Sequence, residues 1–121
     1  MFGVKQTITS ALHPVFSNAQ RRLPEAHHRA QAAGLNHLHD HAIRAAEEAG
    51  FSAEPLVVHW RAGAGYIAID HTEEGDRLAD NEFGHPDRDP NPNPVIRNAM
   101  SAAHSQASAI YRGTLRSEMG F

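Results

Sequence analysis

The chain has no cysteine. A disulfide framework, a thiolate metal site and a cysteine nucleophile are therefore excluded, and the composition carries no sign of the redox compartment. Lysine is nearly missing too. Lys5 is the only one among eleven basic residues, which leaves no lysine for a P-loop. The arginine bias, together with abundant alanine, matches a GC-rich coding sequence and need not reflect a demand for bidentate arginine chemistry. No run of about 18 apolar residues occurs, and the first residues develop no apolar h-region of a signal peptide. These two absences predict a protein made and kept in a cytoplasm, with no membrane partner. No G-x-S-x-G elbow surrounds any serine, and Gly63-Ala64-Gly65 is too short for a dinucleotide fingerprint.

What is present amounts to one domain's worth of chain: 121 residues, 40% of them hydrophobic, enough for one modest core. The formal net charge of −3 argues against a dedicated nucleic-acid binder, which needs a clustered positive field. The charge is unevenly spread. Residues 1–30 carry Lys5, Arg21, Arg22 and Arg29 against Glu25, whereas residues 70–89 carry eight acids against Arg77 and Arg88. A basic end and an acidic loop allow head-to-tail pairing of copies, although solvated faces explain the same charges.

From Leu23-Pro24-Glu25 the pattern turns helical, with proline in the first turn and glutamate at the positive end of the helix dipole. Leu35, Leu38, Ala42, Ala45 or Ala46, and Ala49 recur every three or four residues and predict one buried stripe on a helix of about seven turns ending at Gly50. Gly34 weakens its middle, and Asp40 with Arg44 forms an i,i+4 pair on the wet side. Upstream, residues 1–22 read as an arm or short helix; Ile8, Leu12, Val15 and Phe16, interrupted by Pro14, need a surface to sit on. Residues 56–60 and 66–70 read as a β-hairpin joined by a glycine-containing loop. Residues 71–80 read as a turn or one helical turn, leading into a short extended segment at Glu82-Phe83-Gly84. The loop at 85–94 holds four prolines in ten positions and must be extended. Beyond it Ile96, Met100, Ala103, Ala107, Ile110 and Thr114, flanked by Tyr111 and Leu115, predict a second long helix starting at Pro94.

Histidines are the obvious candidates for metal chemistry. In His37-Leu38-His39-Asp40-His41, residues 37 and 41 share a helix face while His39 points roughly opposite, and the glutamate of H-E-x-x-H is absent. His37 and His41 are thus weak metal candidates needing a distant third ligand such as His71, and solvated histidines are the expected reading. Glu73-Glu74 and the Asp87/Asp89 pair lack the glycine and the closing glutamate of a calcium loop. No cofactor is expected.

The constellation left over spans 81–100. Phe83 sets one large ring between Glu82 and Gly84, to plug the core or anchor a partner, and Gly84 permits a sharp turn. Glu82-Phe83-Gly84, a proline-rich loop, then Pro94-Val95-Ile96-Arg97-Asn98-Ala99 resembles the E-F-G followed by P-F-L-R-P-A pattern of small neck and tail-completion proteins of long-tailed double-stranded DNA bacteriophages. The order of elements over residues 23–117 is similar as well. Val95 stands where that family has an aromatic, Asn98 where it has a second proline, and His85 where threonine is usual.

The resemblance implies an α+β domain over residues 23–121, with two long helices packed on a small antiparallel sheet, an extended proline-rich loop and a flexible N-terminal arm. It implies a non-enzymatic virion subunit forming a homo-oligomeric ring at the neck, assembled in the host cytoplasm, which joins the DNA-filled head to the tail tube and encloses DNA without reading its sequence. Its partners would be a portal-side adaptor or stopper and tail-tube or terminator proteins. Glu82, Phe83, Gly84, Pro94 and Arg97 take fold-fixing or inter-subunit roles; Ile96 and the loop residues His85, Pro86, Asp87 and Arg88 join them as interface or fold-fixing positions. A tail terminator is the close alternative. From other classes come a small histidine-dependent metal-binding enzyme or sensor and a DNA-binding regulator, the latter disfavoured by the acidic balance.

Overall fold

Two helices of 25 residues each, α1 (Pro24–Glu48) and α3 (Val95–Met119), form the body of the molecule in a computed structural model that describes residues 2–4, 24–87 and 91–120. Between them in sequence lie the strands β2 (Leu56–Arg61) and β3 (Ala64–Ile69) and a third helix, α2 (Glu73–Phe83). A short strand β1 (Phe2–Val4) completes an antiparallel sheet of order β1-β3-β2. The architecture is the expected α+β one. No helix among the described residues is long and apolar enough to cross a membrane.

The two long helices run antiparallel, since Arg29 meets Glu118 near one end while His37 meets Gln106 further along. Their seam is built from small and large residues in register. Ala26, Ala30, Leu35, Leu38, Ala42 and Ala46 of α1 are buried, as are Ile96, Met100, Ala103, Ala107, Tyr111 and Leu115 of α3. Alanines let the backbones approach while the leucines, Met100 and Tyr111 fill the gaps. Two details depart from the periodicity. Ala49 lies beyond the end of α1 and is exposed, so Ala46 is the last buried position. Toward the end of α3, Tyr111 and Leu115 are buried while Ile110 and Thr114 are half-buried. A strict 4,3 alternation averages about 3.5 residues per turn and falls behind a straight helix, so the buried stripe steps forward by one residue. Tyr111 gains a polar contact in that position, its hydroxyl 2.8 Å from His27 Nδ1.

The hairpin runs in register from Leu56↔Ile69 to Arg61↔Ala64. Its loop is therefore only Ala62-Gly63, not the longer 61–65 connection read from the glycines. Both residues have positive φ, 51° and 79°, as a type I′ turn requires. Alanine seldom takes that conformation, and this hid the turn. Leu56, Ile67 and Ile69 point into the core with Val58 packed beside them. β1 pairs with the other edge of β3, Phe2↔Ile69 to Val4↔Ile67, so the start of the expected arm is a strand. The reading of residues 8–22 lies outside the described residues.

The largest correction concerns residues 71–84. They form neither a single turn nor an extended segment, because Glu73 to Phe83 is one 11-residue helix. Thr72 caps it, its Oγ1 accepting from Gly75 N at 2.9 Å, and Glu73, Glu74 and Asp76 sit at the positive end of the helix dipole. Gly75 is needed there, since a Cβ would collide with the Asp70 carbonyl oxygen. Gly75, Leu78, Ala79 and Glu82 make the buried face at i, i+3, i+4, i+7. The fourth member of that face is a carboxylate.

Candidate functional site

Glu82 is fully buried, at 0% exposure, and its side chain points at the start of α3. A helix begins with amides that have no partner inside it, and Pro94 supplies no side-chain cap to this one. Glu82 takes that role from 14 residues away. Its Oε1 accepts from Ile96 N at 2.9 Å and its Oε2 from Arg97 N at 3.0 Å, placing a negative charge at the positive end of the α3 dipole. Arg97 then closes the arrangement from outside. Its Nε donates to Glu82 Oε2 at 2.9 Å and its Nη2 to the Glu82 carbonyl at 2.6 Å. The guanidinium also lies 4.6 Å from the centroid of the Phe83 ring, a cation–π contact. The Arg97 side chain is 43% exposed, so the pair has a dry carboxylate and a wet cation.

Phe83 packs against the core from its partly buried position. Gly84 ends α2 with φ 79° and ψ 158°, a region open essentially to glycine alone, while its N–H bonds to Asp80 O at 2.7 Å. A second clamp closes the loop at its base. Asn93 N donates to Asn81 O at 2.7 Å, and Asn81 Nδ2 reaches Asn93 O at 3.3 Å. The chain thus leaves α2 and returns to α3 at one point. Within the loop His85 is half-buried, its Nδ1 accepting from Asp87 N at 3.2 Å, while Pro86 and Asp87 are exposed. Arg88 lies outside the described residues. Pro94 sits at the N-cap of α3 and Ile96 is fully buried behind it.

The structure thus gathers Glu82, Phe83, Gly84, Pro94, Ile96 and Arg97 into one junction and leaves Pro86 and Asp87 exposed beside it. The Asn81–Asn93 clamp escaped the sequence reading, although Asn93 precedes the helix-starting proline. So did the capping role of Glu82. Thr72 followed by an acidic run was the available signal for α2.

The charged surfaces change accordingly. Glu82 is withdrawn from the acidic surplus, and Asp70, Glu73, Glu74 and Asp76 stand at the other end of α2, where a groove of about 330 Å³ is lined by Glu54, Pro55, Asp70, Thr72 and Glu74. Of the expected basic end, Arg29 is already committed. It pairs with Glu118 at 2.7 Å, and that hydrogen bond and charge raise its pKa, with Glu25 adding to the effect. Lys5, Arg21 and Arg22 lie outside the described residues.

His37 and His41 do share a face, their rings 4.6 Å apart, and His37 Nε2 lies 3.0 Å from Gln106 Oε1. Desolvation of the imidazole, then Arg44 and His37, lower the His41 pKa against the opposite pull of Asp40. His39 turns toward the sheet and donates to Leu56 O at 2.9 Å. His71 faces Asp76 at 3.4 Å instead of approaching the pair. Among the described residues no three His, Cys, Asp or Glu side chains are grouped to hold a metal ion. Compared with known protein families, with curated proteins and with solved structures, the chain shows no match.

Proposed function

We propose that this chain is a non-enzymatic structural subunit of a phage head-to-tail connector, a neck or tail-completion protein that forms a ring between the DNA-filled head and the tail tube. The observation that carries the reading is the junction of α2 and α3. The residues on which the resemblance rests are separated in sequence by residues 85–93, yet Glu82, Phe83 and Arg97 meet in space as one clamp. Both oxygens of the one fully buried carboxylate among the described residues are used by amides and a guanidinium. Such a group fixes geometry. A base fixed in this way, with Pro86, Asp87 and Pro92 exposed beside it, is what a subunit needs to present a contact at a set angle to its neighbour in a closed ring. The ring would seal the head by shape and enclose DNA without reading its sequence.

The test is to replace residues 86–91 with a Gly/Ser segment of equal length, leaving the Asn81–Asn93 and Glu82–Arg97 clamps intact. The expected result is an unchanged circular dichroism spectrum and melting curve. By negative-stain electron microscopy the parent chain forms rings and the variant does not. Rings of unchanged size from the variant would remove the loop from the interface, and a parent chain that forms no rings and adds to neither heads nor tail tubes would end the reading.

A further inference from the structure

The hydrogen-bond phase of the hairpin decides which backbone groups of β2 remain for another chain. Asp70 N donates to Pro55 O at 2.9 Å, so these two form a hydrogen-bonded pair across the hairpin. Such pairs alternate in an antiparallel ladder, which makes Val57–Ala68, His59–Tyr66 and Arg61–Ala64 the pairs that bond to each other. Leu56, Val58 and Trp60 then turn their N–H and C=O groups away from β3. In a sheet of order β1-β3-β2 that direction is the outer edge among the described residues.

Leu56 is already satisfied there. Its N–H bonds to Ala53 O at 2.9 Å, and its carbonyl accepts from His39 Nε2 at 2.9 Å. Val58 and Trp60 are left, with two donors and two acceptors on an edge that carries no proline and no bulge among the described residues. The same edge carries Trp60, the exposed large hydrophobic side chain among them at 39%, tilted against the ring of His28 with centroids 4.4 Å apart.

We propose that β2 pairs antiparallel with β2 of a second copy about a two-fold axis at His59. In that register Val58 of each copy lies opposite Trp60 of the other, and the four outward groups per strand form four hydrogen bonds. Each indole then covers the valine across from it, as an aromatic and a β-branched residue do in stable cross-strand pairs. The ladder stops by itself, because the outward groups of Leu56 are taken and the opposing chain turns back at Ala62-Gly63. Charge agrees with the antiparallel sense. Exposed Arg61 of one copy comes to the Pro55–Val57 end of the other, where Glu54 and Asp70 stand. The contact is isologous, so it differs from the rotational contact of a ring and stands or falls without the reading above.

The absence of cysteine makes the register directly testable. Residues on the axis form a non-hydrogen-bonded pair with Cα atoms about 4.5 Å apart, within disulfide range. A single His59→Cys variant, oxidised at low concentration, is expected to give a disulfide-linked dimer. Arg61→Cys alone, whose counterpart is Val57, is expected to give none, and a mixture of Arg61→Cys with Val57→Cys to give the heterodimer. Sedimentation of the parent chain should show a concentration-dependent dimer. Val58→Pro removes one outward N–H per copy without touching the β2–β3 ladder and is expected to weaken that dimer about tenfold or more. Trp60→Lys takes its place if that variant fails to fold by circular dichroism. A parent chain that stays monomeric at its highest soluble concentration, equal cross-linking at positions 59 and 61, or a ring without the His59→Cys cross-link would each overturn the proposal.

Discussion

Along the α1–α3 seam the fold rests on a dozen buried side chains, all but Tyr111 purely apolar, whereas at the α2–α3 junction it rests on one carboxylate and the three donors around it. Contacts of the first kind are non-directional and many, so a change of shape is absorbed by neighbours. Those of the second kind are directional and few, and losing the carboxylate leaves the buried Ile96 amide without an acceptor. The seam sets overall stability and the junction sets the angle at which the loop leaves the body. A subunit that must fit a neighbour needs both, yet only the junction is intolerant of near-substitutes.

The comparison is broken most sharply at Glu82. Changing Glu82→Ala strips the amides of Ile96 and Arg97 of their acceptor while the half-exposed Arg97 guanidinium turns to water, and the expected loss is about 2–3 kcal/mol in urea unfolding. Glu82→Gln recovers only part of it, since an amide offers one acceptor oxygen and no charge. In the seam an equally buried residue should behave otherwise. Leu115→Met conserves volume at a fully buried position and is expected to cost less than about 1.5 kcal/mol by the same measurement. If the two losses come out equal, the distinction between seam and junction is wrong.

The smallest effect is one of pH. The folded state holds the His41 pKa down, chiefly by desolvation and then by Arg44 and His37. The unfolded chain therefore takes up this proton at higher pH than the folded one does. Stability from the neutral imidazole is present above its ordinary value of 6.5 and is lost as pH falls through the lower folded value. In thermal melts between about pH 7.5 and pH 5.5, His41→Gln is expected to flatten the decline slightly, the side chain being only half-buried. An unchanged slope would remove His41 as a contributor.

The seam was legible in the sequence because its residues are apolar and repeat every three or four positions: Leu35, Leu38, Ala42, then Ile96, Met100, Ala103, Ala107. Pro94 marked the start of α3 to within a residue. The junction was legible as a set of residues but not as a geometry. Helix α2 has only Leu78, Ala79 and Phe83 as apolar residues, and its inner face is completed by Gly75 and Glu82, residue types that a search for buried stripes passes over. Read as extended, Glu82 had no reason to point inward. Its partner amides lie 14 and 15 residues on, and local patterns do not reach that far. Ala62 at positive φ hid the tight turn in the same way, by using a residue that seldom advertises it.

The long reach of Glu82 also orders events in time. The amides of Ile96 and Arg97 find their acceptor only in Glu82, so that part of the helix start is not held until α2 has docked. The middle of α3 is gripped by α1 and needs no such help. Amide hydrogens at Ile96 and Arg97 should then exchange together with those of α2, faster than those around Ala107, as one small cooperative unit. The loop base, closed by Asn81 and Asn93, opens whenever that unit opens. Whatever grips the loop from outside therefore acts on that unit first and reaches the helix pair only through it.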